Sequence, residues 1–150
     1  MEAPWGRRVA PEDVRRALVQ CRRPSLVALV HAETSTGVLQ PVGRIGALAR
    51  DDGALFLLGT VTSSGGCKVE TDAWDVDLCY SGTQKCLSAP PELSPLTVSE
   101  RAMEKVRARK ARPHSWYLDL TLLRAYFGRK GVYHHTAPVA EGERLSYASD

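Results

Sequence analysis

The chain has 150 residues, 43% hydrophobic and 25% charged, an ordinary length for one globular domain that can bury a real core. Its formal charge of +3 is modest, and no stretch approaches the roughly 20 apolar residues of a membrane helix. Membrane insertion is therefore excluded as a reading, and a nucleic-acid footprint has little support.

In chain order, Val14, Ala17, Leu18 and Cys21 fall on one helical stripe, which Pro11 can open as a first-turn proline. Ser25 to Val30 reads as a strand, and Val42 to Arg50 as a helix closed near Gly53. Ala54 to Leu58 is a continuous apolar run of the kind buried in parallel sheets, and Asp77 to Tyr80 reads as a further short strand. After Leu96 to Val98, Ser99 can cap a helix running to about Arg109. Asp119 can cap another, whose apolar face is Leu122, Leu123, Tyr126 and Phe127 before Gly128. Strand, helix, strand, connection, strand predicts an α/β domain, a mostly parallel sheet flanked by helices, with ligands gathered at the carboxyl ends of the strands.

Cys21, Cys67, Cys79 and Cys86 show no CxxC pairing, which predicts reduced thiols in an intracellular compartment. Neither a secretory signal nor a transit peptide is legible at the N-terminus, and Ala148-Ser149-Asp150 is unlike a peroxisomal address. The densest basic run, Arg101 to Arg112, interleaves with Glu100 and Glu104 and reads as a solvated helix face. No aromatic lies among those cations to stack a base, so no nucleic-acid partner is expected. His134-His135 lacks a carboxylate or cysteine at suitable spacing, so no metal is expected.

Tyr80 to Pro91 reads YSGTQKCLSAPP, a lysine after a Ser-Gly turn and before a rigid Pro-Pro. A lysine amine, with an ordinary pKa of ~10.4, reacts with aldehydes only when it is fixed and partly desolvated. Lys85 lies just past the Asp77–Tyr80 strand, and Gly82 permits the turn that would present it. Spacing alone equally allows a surface lysine in a loop, the commoner case.

Four blocks in order carry a resemblance: HAETSTGVLQP at 31–41, LFLLGTVTSSGG at 55–66, YSGTQKCLSAPP at 80–91, and SWYLD at 115–119 followed by YHHT at 133–136. From about Pro11 to Pro138 the chain resembles the class V pyridoxal-phosphate aminotransferases, in particular the alanine–glyoxylate and serine–pyruvate branch. The resemblance implies part of the large domain of a fold-type-I enzyme over residues 1–138, followed by a divergent tail at 139–150. It implies the cofactor pyridoxal 5'-phosphate, and transfer of an amino group from alanine or serine to glyoxylate or pyruvate.

The same resemblance assigns roles. Lys85 would be the catalytic, Schiff-base lysine, Gln84 would help bind the cofactor phosphate, and Thr34 would offer a hydroxyl near the pyridine ring where the family often has serine. Tyr133 and Thr136 match a pair that reaches the phosphate of the neighbouring subunit's cofactor, so a homodimer with shared sites is implied. The compartment implied is peroxisomal or mitochondrial. His31, Trp74 and Trp116 are read as packing residues.

Departures matter too. The first half of the large domain and the small C-terminal domain have no counterpart here, and with them go a glycine-containing phosphate loop, a ring-stacking aromatic and a carboxylate-gripping arginine. Glu92 stands where the family usually has a glycine. Gly59 stands where the family places an aspartate that pairs with the pyridine nitrogen. A catalytically incompetent fragment is therefore the alternative reading.

Overall fold

The computed structural model describes residues 3–128 and 132–135. Helix α1 (Pro11–Gln20) begins at the expected proline, with Glu12 and Asp13 in the first turn where they favour the positive end of the helix dipole. Val14 and Leu18 are its buried stripe, whereas Cys21 lies just beyond the last turn and is exposed.

Strand β1 (Leu26–Val30) is followed by a small antiparallel pair, β2 (Ala32–Glu33) and β3 (Val38–Leu39), turned at Gly37 with φ 67°. Helix α2 (Gly43–Asp51) then crosses to β4 (Leu55–Gly59), which lies parallel to β1 with Leu26 opposite Leu55 and Val30 opposite Gly59. Gly46 makes that crossing possible, because a Cβ there would stand 1.8 Å from the Trp74 carbonyl oxygen.

Strand β5 (Leu78–Tyr80) continues the sheet in parallel, and β6 (Leu96–Val98) closes it in antiparallel pairing, giving the order β1-β4-β5-β6. Helices α3 (Glu100–Arg107) and α4 (Leu120–Phe127) follow, each capped as expected: Ser99 Oγ accepts from the Ala102 amide at 3.1 Å and Asp119 Oδ1 from the Thr121 amide at 2.9 Å. The expected apolar face of α4 stays partly open, and Phe127 keeps 72% of its surface exposed. The architecture is the expected one, a mostly parallel sheet with helices packed on it. No helix among the described residues is long and apolar enough to cross a membrane.

The core lies on one face of the sheet. Phe56 and Leu58 of β4 and Cys79 of β5 pack with Val14 and Leu18 of α1 and with Ile45 and Ala49 of α2. Phe56, Leu58 and Ile45 are fully buried, each stabilising the fold by about 1.5–3 kcal/mol.

Asp77, 4% exposed at the foot of β5, ties the sheet to α3. It accepts from the Phe56 amide at 2.9 Å, from Ser99 Oγ at 2.7 Å and from Arg101 Nε at 2.9 Å, and it forms a second, short ion-pair contact with Arg101 Nη2. Arg101 thus leaves the solvated basic face on which its spacing put it. Burial pushes the Asp77 carboxyl up, but the Arg101 guanidinium, the Phe56 amide and the Ser99 hydroxyl outweigh burial and hold it below its ordinary value.

Candidate active site

Because β1, β4 and β5 are parallel, the loops after Val30, Gly59 and Tyr80 emerge side by side at one end of the sheet. Backbone bonds knit the ends together: the His31 amide donates to Gly59 O and the Thr60 amide to Tyr80 O, both at 2.8 Å. Side chains extend the seam outward. Thr62 Oγ1 donates to Ala32 O at 2.6 Å, and Cys86 Sγ lies 3.5 Å from Thr62 O, so the three loops form one connected rim.

Beneath the rim is a layer of buried small hydroxyl residues, Thr60, Ser63, Ser81 and Thr83. Ser63 Oγ lies 2.9 Å from His31 Nδ1, and Thr60 Oγ1 donates to Tyr80 O at 2.9 Å. His31 is 5% exposed and its ring meets Trp74 at 5.3 Å, so both are packing residues as expected. Burial lowers the His31 pKa, keeping the ring neutral near neutral pH.

The loop that carries Lys85 is closed on itself. Thr83 Oγ1 donates to Leu93 O at 3.2 Å and, through a short bond, to Pro90 O, while the Ala89 amide returns to Thr83 O at 2.9 Å. Within this closure the Ser88 amide donates to Lys85 O at 2.9 Å, with Ser88 in the left-handed region at φ 55°. Glu92 is not left-handed, so the turn at that position does not demand the glycine it lacks.

Lys85 and Gln84 sit at the crest of this loop and Thr34 in the β2–β3 turn, all three exposed. The partly desolvated lysine expected from the chemistry is not what this chain builds: the hydroxyl layer packs below the loop, and the Lys85 side chain reaches into solvent. Tyr133 is 70% exposed and meets Tyr126 of α4 edge-on at 6.0 Å, while His134 and His135 pack on Trp116 and Tyr117, each pair at 4.2 Å. Thr136 and the tail at 139–150 lie outside the described residues. No cluster of three or more metal-ligating side chains occurs among the described residues.

Gly59 closes the floor at the end of β4. A Cβ there would stand 2.8 Å from the Tyr80 hydroxyl and 3.0 Å from its Cζ, so the phenol occupies the space above the glycine. The donor set suits an aldehyde and an anion in part: a lysine amine, an amide and hydroxyls at strand ends. It offers no carboxylate at Gly59 to pair with a ring nitrogen.

Comparison with known proteins decides the family. The Aminotransferase class-V profile matches residues 6–114. The chain belongs to the class V aminotransferase family. It is 42% identical to the alanine–glyoxylate aminotransferase of Oryctolagus cuniculus, over 85% of this chain and 33% of that protein. It is 38% identical to the (S)-ureidoglycine–glyoxylate transaminase of Bacillus subtilis, over 91% of this chain and 37% of that protein. The crystal structure of an alanine–glyoxylate aminotransferase from Nostoc sp. superposes with a TM-score of 0.94 at 48% identity, covering 99% of this chain and 39% of that one. The chain thus spans between 33% and 39% of the length of these class V relatives.

The residues that sequence reasoning missed are the supports. Thr83 and Ser81 sit in the lysine motif, and Thr60 and Ser63 in the hydroxyl-rich stretch 60–64, broken only by Val61, a composition that marks a packed polar turn layer.

Proposed function

We propose that the chain forms the lysine-bearing part of a pyridoxal-phosphate-dependent transaminase that moves an amino group from alanine or serine to glyoxylate or pyruvate. The observation that carries this reading is the closed loop of Thr83 to Leu93, which holds Lys85 at the joined carboxyl ends of three parallel strands. Pyridoxal phosphate, when bound, supplies the electron sink for breaking a Cα–H bond. Lys85 Nζ would hold the aldehyde carbon and, once released by the substrate amine, would carry the proton from the substrate Cα to that carbon, a positioned proton transfer worth about 10²–10⁴-fold in rate.

Gln84 is proposed to bind the cofactor phosphate and Thr34 to donate toward the ring's phenolic oxygen. Tyr133 and Thr136 are proposed to reach the phosphate in a neighbouring subunit, which makes a homodimer part of this reading. A peroxisomal or mitochondrial setting goes with it. Relatives named for ureidoglycine and for alanine leave the donor to be fixed by assay.

A second reading, a catalytically incompetent member of that family, is favoured by Gly59, which puts no carboxylate at the end of β4. Incubation with pyridoxal phosphate, glyoxylate and either L-alanine or L-serine tests both. Glycine formed by the chain, and lost with Lys85→Ala, supports the first reading; covalent cofactor without glycine supports the second.

A further inference from the structure

The basic run that begins in α3 continues past the end of that helix. Within α3, Lys105 Nζ donates to Gly53 O at 3.0 Å and Arg107 donates to Glu100 at 2.5 Å, so both cations are engaged. Arg109, Lys110 and Arg112 follow the helix, are exposed, and have no ion pair or side-chain hydrogen bond among the described residues. Three like charges held on one short segment without partners repel one another and attract an anion.

These cations border a cavity of about 580 Å³, within the usual size range of small-ligand sites. Its apolar lining includes Trp116, Leu118 and Leu122. The one carboxylate that lines it, Asp119, already accepts from the Thr121 amide at 2.9 Å and the Thr121 hydroxyl at 2.6 Å as the cap of α4. No aromatic lies within the basic run itself, and the fold brings one to it. A turn in which the Leu118 amide donates to Ser115 Oγ at 3.3 Å sets Trp116 beside the cations. Its indole packs on His134 at 4.2 Å yet stays 60% exposed, so aromatic surface is left open at the cavity.

We infer that this cavity binds a nucleoside polyphosphate, with the phosphates on Arg109, Lys110 and Arg112 and the base on Trp116. Two guanidiniums and an ammonium suit the many oxygens of a phosphate chain, arginine through paired N–H bonds and lysine as a point charge. Indole stacking accepts any base, so the site selects a flat aromatic joined to a polyanion and not one base over another. A nucleic-acid strand needs cations and aromatics repeated along a groove, whereas here they meet at one place. The cavity shares no lining residue with the strand-end rim around Lys85, and the inference stands independently of any cofactor there.

Titration calorimetry of the whole chain with ATP, tripolyphosphate and adenosine tests it, without divalent cations and at about 150 mM salt so that long-range attraction is screened. ATP should bind at one site and at least about fivefold more tightly than tripolyphosphate, the margin that stacking on Trp116 supplies. Adenosine should bind most weakly. Replacing both guanidiniums, Arg109→Gln with Arg112→Gln, should weaken ATP by about tenfold or more. Trp116→Leu should bring ATP down to the affinity of tripolyphosphate and leave tripolyphosphate itself unchanged. The inference is overturned by the absence of saturable ATP binding, by equal affinity for ATP and tripolyphosphate in the parent chain, or by variants that bind ATP as the parent does. A single-stranded oligonucleotide that binds more tightly than ATP also overturns it, by assigning the surface to nucleic acid.

Discussion

The Tyr80 hydroxyl lies over Gly59, 2.8 Å from where a Cβ on that glycine would stand. Strand register makes the pair neighbours, and Tyr80, 38% exposed, can turn outward. Gly59→Asp should therefore displace the phenol and destabilise the isolated chain by about 1 kcal/mol in urea melts, with no loss where Tyr80 is also alanine. In a chimera completed with the Nostoc sp. protein, the same substitution should raise single-turnover amino transfer from L-alanine by about 10²–10³-fold. Equal rates would mean that a ring-pairing carboxylate is dispensable.

Thr83 is fully buried, and its hydroxyl satisfies the carbonyls of Pro90 and Leu93. Thr83→Val keeps the shape and leaves Pro90 O without that donor, a loss of about 1–2 kcal/mol. Amide exchange at Lys85 to Ser88 should accelerate in Thr83→Val and stay slow in Thr83→Ser. Unchanged exchange in the valine variant would show that the loop closes without the hydroxyl.

Arg101 compensates the buried Asp77 carboxylate. Arg101→Met should cost about 2–3 kcal/mol, below the full figure for a buried pair because the arginine side chain is 28% exposed. The Asp77 pKa lies below its ordinary 3.8, so its stabilisation is complete above that value and is lost as pH falls through the lower, folded-state value. Denaturation followed between pH 3 and 7 should show the acid limb moving to higher pH in Arg101→Met. An unmoved limb would remove the pair from the account.

His31 acts at milder pH. Its folded pKa is lowered from 6.5 by burial, so stability is full above about 6.5 and declines as pH falls toward the folded value, where the unfolded chain takes up the proton first. His31→Gln should flatten the pH dependence of the melting temperature between pH 6.5 and 5. A variant that keeps the same slope would assign that slope to another group.

The α1-β1-α2-β4 unit was legible because periodic stripes and apolar runs carry their own burial signal, as Val14, Leu18, Phe56 and Leu58 show. The two-residue strands around Thr34 were not, since nothing in so short a segment distinguishes a strand from a turn. Arg101 was misread because its neighbours Glu104 and Lys105 are a helical repeat away, whereas its partner Asp77 lies 24 residues back on another element. The lysine loop was legible through family resemblance. Its closure by Thr83 was not, since the hydroxyl bonds carbonyls that only the folded loop brings near.

The central claim is that Lys85 holds pyridoxal phosphate at the strand ends. Borohydride reduction of the purified chain with added cofactor, followed by peptide mass mapping, tests it most directly. The account predicts one cofactor-modified peptide, centred on Lys85 in Tyr80 to Pro91, and its loss in Lys85→Ala with no new adduct. Modification spread equally over other lysines, or an adduct that survives Lys85→Ala, would contradict it.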